Sequence, residues 1–204
     1  MTSVTSQTYH HGDLRQNLID AAITFVNEKG ISDLSLRQLA RQVGVSHNAP
    51  YRHFETKEAL LMAVAEEGFE SLRTALQMAK DASPNQPTQQ LEAIGIAYVN
   101  FALSHPAHYR VMFGNYCRES EEFCSLATVA EQSFMVLVNV IKEGQVAGVF
   151  RENDTFNLAR VAWSLVHGQS MLILDCKLQV KPGEDLNRFL HFSSQILMNG
   201  ICNQ

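Results

Sequence analysis

The stretch from Ser35 to Phe54, SLRQLARQVGVSHNAPYRHF, constrains the fold of this chain more than any other. It reads as two short helices joined by a tight turn. Leu36, Leu39, Ala40 and Val43 recur at helical spacing on one face, Ser35 suits an N-cap, and Gln38 three residues later completes a capping box. Gly44 stands four residues after Ala40, small enough for a second helix to cross closely and able to take a left-handed backbone. Val45 then plugs the turn and Ser46 caps the second helix. That second helix carries His47, Asn48, Tyr51, Arg52 and His53, side chains suited to base edges and phosphates rather than to a core.

The wider run sharpens this reading. Gly44, Val45 and Ser46, then Tyr51, Arg52, His53 and Phe54, then Lys57, Glu58, Ala59, Leu60 and Leu61 closely resemble the helix-turn-helix signature of TetR-type transcriptional regulators. The resemblance implies a three-helix DNA-binding head over residues 1–55 and a helical ligand-binding and dimerisation body over 56–204. It also implies DNA contact by Ser35, Arg37, Ser46, His47, Asn48, Tyr51, Arg52, His53 and Lys57, with Phe54 in the core. Pro50 departs from the family pattern, which usually has an aliphatic residue there. Proline removes a helical N–H bond, crowds the Ser46 carbonyl and biases Ala49 away from helical geometry, so a distorted first turn is expected.

Charge is distributed in the direction that a DNA-binding head requires. Through Lys57 there are six basic and five acidic residues, a balance of +1; the remaining ten basic and sixteen acidic residues give −6. The acidic load therefore lies away from the presumed DNA face. The 46% apolar and 18% charged content is that of a globular chain, and no run is long enough to span a bilayer. The first residues, MTSVTSQTYHHGDLR, lack the apolar centre of a signal peptide, so a cytoplasmic protein is expected. Tyr9, His10 and His11 read as a solvated arm. Cys117, Cys124, Cys176 and Cys202 form no C-x-x-C pair and are expected as thiols; Cys117 and Cys124, beside Arg118, are weak candidates for oxidant sensing.

Helical periodicity continues to the end, which predicts an all-α fold of about nine helices. The first spans about Asp13 to Lys29 with Leu14, Leu18, Ala21, Ala22, Phe25 and Val26 as its stripe and Gly30 closing it. Thr56 caps a long helix from Lys57 to about Lys80, and SPNQP, Ser83 to Pro87, is the clear linker. Further helices carry Leu91 to Phe101 and Tyr109 to Phe113, separated by a break at His105 and Pro106, and another runs from about Ser120 to Gly148. The last two, about 154–175 and 184–199, are apolar on more than one face and need cover on both sides. A two-fold homodimer through them supplies it, as the resemblance also implies. Two recognition heads about 34–36 Å apart then suit a near-palindromic double-stranded operator.

HPAHYRVMFG, His105 to Gly114, and WSLVHG, Trp163 to Gly168, resemble the C-terminal domain of a TetR subgroup marked by Trp, three residues, then His-Gly. Family members usually hold a small molecule in the body. Candidate liners are Tyr98, Phe101, Tyr109, Met112, Phe134, Trp163 and His167, though aromatic residues at this spacing are more often plain core. His167 beside Gly168 is the sharpest of them, because a histidine in an apolar helix needs a hydrogen-bond partner. The expected effector is small and apolar or amphipathic; no cofactor, metal or membrane contact is expected, since His105 and His108 lack a third ligand. No nucleophile, base and orienting group share a motif, which argues against an enzyme. The expected function is a dimeric repressor released from its operator when a ligand tilts the helix after Thr56. A helical protein-interaction adaptor without DNA binding is the alternative, and it would keep its interactions after alanine replaces Tyr51 or Arg52.

Overall fold

A computed structural model describes residues 14–114, 123–178 and 185–202. The sequence forms eight α-helices and one 3-10 turn among these residues: α1 (Leu14–Lys29), α2 (Leu36–Val43), the turn Pro50–Arg52, α3 (Lys57–Asp81), α4 (Pro87–Ser104), α5 (Pro106–Met112), α6 (Phe123–Val146), α7 (Thr155–Leu174) and α8 (Leu186–Ile201). The expected all-α class is therefore what the chain adopts; one isolated bridge, Phe150 with Cys202, is the extent of β pairing among the described residues. The expected starts at Asp13 and Ser120, the arm at Tyr9, His10 and His11, and Cys117 and Arg118 lie outside the described residues, as does the Cys124 side chain.

Local chemistry sets the helix ends. Ser35 Oγ accepts from Gln38 N–H at 3.3 Å, and the Ser35 hydroxyl in turn donates to Gln38 Oε1 at 2.9 Å. The capping pair thus forms through side chains rather than through the Ser35 backbone N–H. Thr56 Oγ1 accepts from Ala59 N–H at 3.1 Å and starts α3. Pro87 belongs to α4 rather than to the linker, because proline's missing donor costs nothing at the first helical position. Pro106 opens α5 in the same way after His105, the expected break.

Two packed units share α3. In the head, Leu18, Ala22, Leu39 and Leu60 are fully buried, and Phe54 joins them with the Arg15 guanidinium 5.3 Å from its ring centroid. In the body, α3 packs against α4, α5 and α6, while α7 lies on α4 and α6 and α8 lies on α4. Gly68 lets α5 approach α3 closely: a Cβ there would stand 2.6 Å from Met112 Sδ. The α1 helix also touches α5, so the head rests on the body through more than the α3 continuation.

The outer faces of α7 and α8 stay apolar and open. Phe156, Val161 and Leu172 on α7 are exposed, and Phe192 and Ile196 on α8 are 59% and 58% exposed. Single exposed apolar residues are ordinary; a series of large ones on adjacent helices marks an interaction face.

Candidate DNA-reading surface and body cavity

The head presents its polar side chains around a turn that Gly44 makes possible. Gly44 has φ 80°, and its N–H reaches the Ala40 and Arg41 carbonyls. Val45 N–H donates to Ala40 O at 2.9 Å, closing α2 in a left-handed cap. The second motif helix differs from expectation. No continuous α-helix runs from Ser46 to Phe54; a turn is followed by the 3-10 segment Pro50–Arg52. Proline has no N–H to give the Ser46 carbonyl, which instead accepts from Ala49 N–H at 3.0 Å. Arg52 N–H then donates to Ala49 O at 3.2 Å, and both His53 and Phe54 N–H reach Pro50 O at 2.9 Å.

One detail corrects the sequence expectation. Ala49 remains helical, φ −61° and ψ −42°, although a proline follows it. Pro50 sits at the first position of its short helix, where the ring is tolerated, and is buried.

Arg37, Ser46, His47, Asn48, Tyr51, Arg52 and His53 are all exposed, and Ser35 is half-buried as the α2 cap. Lys57 is placed differently. Its Nζ donates to the Ile31 and Ser32 carbonyls at 2.7 and 3.2 Å, tying the start of α3 to the α1–α2 loop.

The body holds a cavity of about 370 Å³, open at one side, between α3, α4, α6, α7 and α8. Of the expected liners, Tyr98, Phe134 and Trp163 face it. Phe101, Tyr109, Met112 and His167 do not. Phe101 stacks on His105 with centroids 4.8 Å apart, Met112 packs on Gly68, and Tyr109 is fully buried. Sequence reasoning missed Phe69, Leu72 and Leu76 on α3 and Leu197 and Met198 on α8, which complete the wall. Their apolar stripes mark them as buried without saying that a void lies opposite.

His167 finds its partners within the protein. Its Nδ1 lies 2.7 Å from Tyr109 Oη and 3.1 Å from Tyr98 Oη. The two hydroxyls are 3.2 Å apart, and Trp163 Nε1–H donates to Tyr98 Oη at 3.1 Å. This network joins α4, α5 and α7 directly behind the cavity wall. Burial pushes the His167 imidazolium toward deprotonation and raises the Tyr98 and Tyr109 phenols, so the cluster is neutral near pH 7. Gly168 plays no part in this packing, since a Cβ there would meet nothing within 4 Å. Its freedom belongs to the open side of α7.

A pH dependence follows from that burial. With the His167 pKa below its ordinary value in the folded state, the unfolded chain binds the proton first on acidification. Stability contributed by neutral His167 is complete above about pH 6.5 and falls as pH drops below it. Thermal melting from pH 7.5 to 5.5 is expected to be shallower for His167→Gln than for the parent; equal slopes would remove His167 from the acid response.

Other sequence candidates resolve separately. His105 Nδ1 lies 2.9 Å from Ser104 Oγ, and His108 Nε2 lies 3.3 Å from Glu67 Oε1. Among the described residues no three His, Cys, Asp or Glu gather as a metal site would require. Cys176 and Cys202 are free thiols. No helix among the described residues is long and apolar enough to cross a membrane.

A helix-turn-helix head on an all-α body with an apolar cavity defines a class that comparison with known proteins identifies. Residues 18–64 match the family of bacterial regulatory proteins called tetR, and residues 91–193 match the tetracyclin repressor-like C-terminal domain. The solved structure of a Rhodococcus sp. RHA1 protein of unknown function is 33% identical, with a TM-score of 0.85 over 97% of this chain and 100% of that one. The HTH-type transcriptional regulator YobS of Bacillus subtilis is 24% identical over 93% of each chain. The class D tetracycline repressor of Escherichia coli is 43% identical over 53 residues, 26% of this chain and 24% of that protein. The chain belongs to the TetR family and is a DNA-binding transcriptional regulator.

Proposed function

We propose that this regulator is a cytoplasmic homodimeric repressor whose hold on its operator is weakened by a small molecule bound in the body cavity, acting by binding rather than turnover. The cavity carries the reading: about 370 Å³, within the size range of small-molecule sites and lined mainly by apolar and aromatic side chains. The open apolar faces of α7 and α8 provide the two-fold interface. Tyr51, Arg52, His47, Asn48 and Arg37 meet base edges and backbone, with Ser46 and His53 beside them and Ser35 supporting α2. Lys57 serves the head chiefly by anchoring the α1–α2 loop.

A contiguous set of contacts links cavity to head. Trp163 and Tyr98 line the cavity; Trp163 Nε1–H donates to Tyr98 Oη, which also meets Tyr109 Oη and His167 Nδ1. Next to Tyr109 on α5, His108 meets Glu67 of α3, and Glu67 Oε2 accepts from Gln16 Nε2 of α1 at 3.0 Å. A ligand that favours another arrangement of Tyr98 and Trp163 shifts α5, and with it the seat of α1. Only its differential affinity for the two arrangements can lower operator affinity.

The experiment is operator binding with and without a ligand whose occupancy of the cavity has been verified. Release of operator by the parent protein supports the reading, and unchanged affinity at saturation overturns it. Glu67→Ala tests the path. It is expected to keep operator and ligand affinities within about threefold while reducing the coupling between them by about three- to thirtyfold. Full coupling in this variant would exclude the Gln16–Glu67–His108 route.

A further inference from the structure

The cavity wall also specifies what kind of molecule it accepts, an inference that rests on the effector reading above. Its deep polar atoms are engaged by protein except the Ser194 hydroxyl, which lies beside Gly95, one turn of α8 after His191, and makes no hydrogen bond among the described residues. Tyr98 Oη is held by Trp163, Tyr109 and His167. Ser133 Oγ donates to Ala130 O at 2.7 Å, and Ser193 Oγ donates to Leu190 O at 2.9 Å. What remains toward the interior is apolar: Phe69, Leu72, Phe113, Phe134, Leu137 and Trp163.

Charge is confined to the rim. Glu131 and Arg160 are exposed, and Glu92 is partly exposed while it meets His191 Nδ1 at 2.9 Å. Arg160, exposed, donates from Nη1 to Asn157 Oδ1 at 3.1 Å. We infer that the cavity binds a molecule with an apolar body, chain or ring system, bearing no more than one hydrogen-bonding group, and that this group stays at the Glu92–Glu131–Arg160 rim or at the Ser194 hydroxyl just inside it. A sugar, nucleoside or free amino acid would bury several groups that the wall cannot match. Each such group costs roughly tenfold or more in affinity. An apolar body instead gains affinity with every methylene removed from water.

Trp163 is the chain's single tryptophan and lines the cavity, so its fluorescence reports occupancy. The protein is titrated with hexanol, octanol and decanol, then with 1,10-decanediol, sorbitol and adenosine, and thermal shift serves as a second readout. The dissociation constant is expected to fall by about fourfold per added methylene. The diol must carry its second hydroxyl past Ser194 into the wholly apolar end of the cavity and is expected to bind at least about tenfold more weakly than decanol. Affinity independent of chain length, a diol as tight as decanol, or saturable binding of sorbitol or adenosine in preference to the alcohols would each overturn the inference.

Gly95→Leu fills the cavity from α4. A Cβ at Gly95 meets Val166 Cγ1 at 3.6 Å and Ser194 Oγ at 4.0 Å, ordinary contacts, so the backbone accepts a side chain whose outer carbons enter the void. Leucine also favours helix over glycine. This variant is expected to weaken decanol binding at least about tenfold; undiminished binding in a folded Gly95→Leu protein contradicts the assignment. The series in the parent protein decides the ligand class without it. Operator anisotropy on the same samples separates the two claims. Alcohol binding without operator release overturns the effector reading alone, whereas a polar compound that binds the cavity and releases operator overturns the ligand class alone.

Discussion

Replacing Phe192 with aspartate is expected to give a monomer that binds operator about a hundredfold or more weakly than the parent protein. Phe192 is 59% exposed in the single chain and shares the outer face of α8 with Ile196. A carboxylate there leaves the isolated fold unharmed, because the position is in water. In a dimer the same carboxylate must be desolvated against an apolar partner face. Losing the dimer loses the tethered second head, which accounts for the large effect on DNA. Sedimentation and operator titration read the two losses together. A Phe192→Asp protein that remains dimeric at full operator affinity would move the interface away from α8.

Alanine at Tyr51 and Arg52 together is expected to weaken specific operator binding by about a hundredfold while leaving thermal stability within a few degrees of the parent. Both side chains are exposed, and the packing around them rests on Phe54 and Pro50, which remain. Separate substitutions distinguish their roles. A base-reading side chain relaxes preference at one operator position, whereas a phosphate contact lowers affinity evenly across sequences and flattens the salt dependence. Because the 3-10 turn places these side chains differently from a regular α-helix, a Pro50→Leu protein is expected to alter operator preference more than overall affinity. Competition among operator variants measures that shift; an unchanged preference would mean that the 3-10 turn does not set the reading geometry.

Much of this architecture was legible because helix signals are local. Ser35 and Thr56 cap the helices that they were expected to cap, Gly44 takes the left-handed turn, and Pro106 opens α5 after His105. Pro50 announced a distortion, and the missing donor produced one, although Ala49 stayed helical. The cavity was legible only in part. Periodicity identifies Phe69, Leu72 and Leu76 as buried, but whether a neighbour or a void faces them depends on how α3, α6 and α8 meet, which no local pattern encodes. The same limit explains why Tyr109 and His167, aromatic and at helical spacing, bond behind the wall instead of lining it. For Lys57, the carbonyls that capture its ammonium come from residues more than twenty positions earlier.

The central claim is sequence-specific DNA binding by the Ser35–Phe54 head. Its most direct test is fluorescence anisotropy of the purified protein with DNA fragments from upstream of its own and adjacent genes, across a salt series. One fragment is expected to bind roughly a thousandfold or more tightly than the others, with an affinity that falls steeply as salt rises. Equal, weak binding to every fragment, unchanged in the protein with alanine at Tyr51 and Arg52, would contradict it.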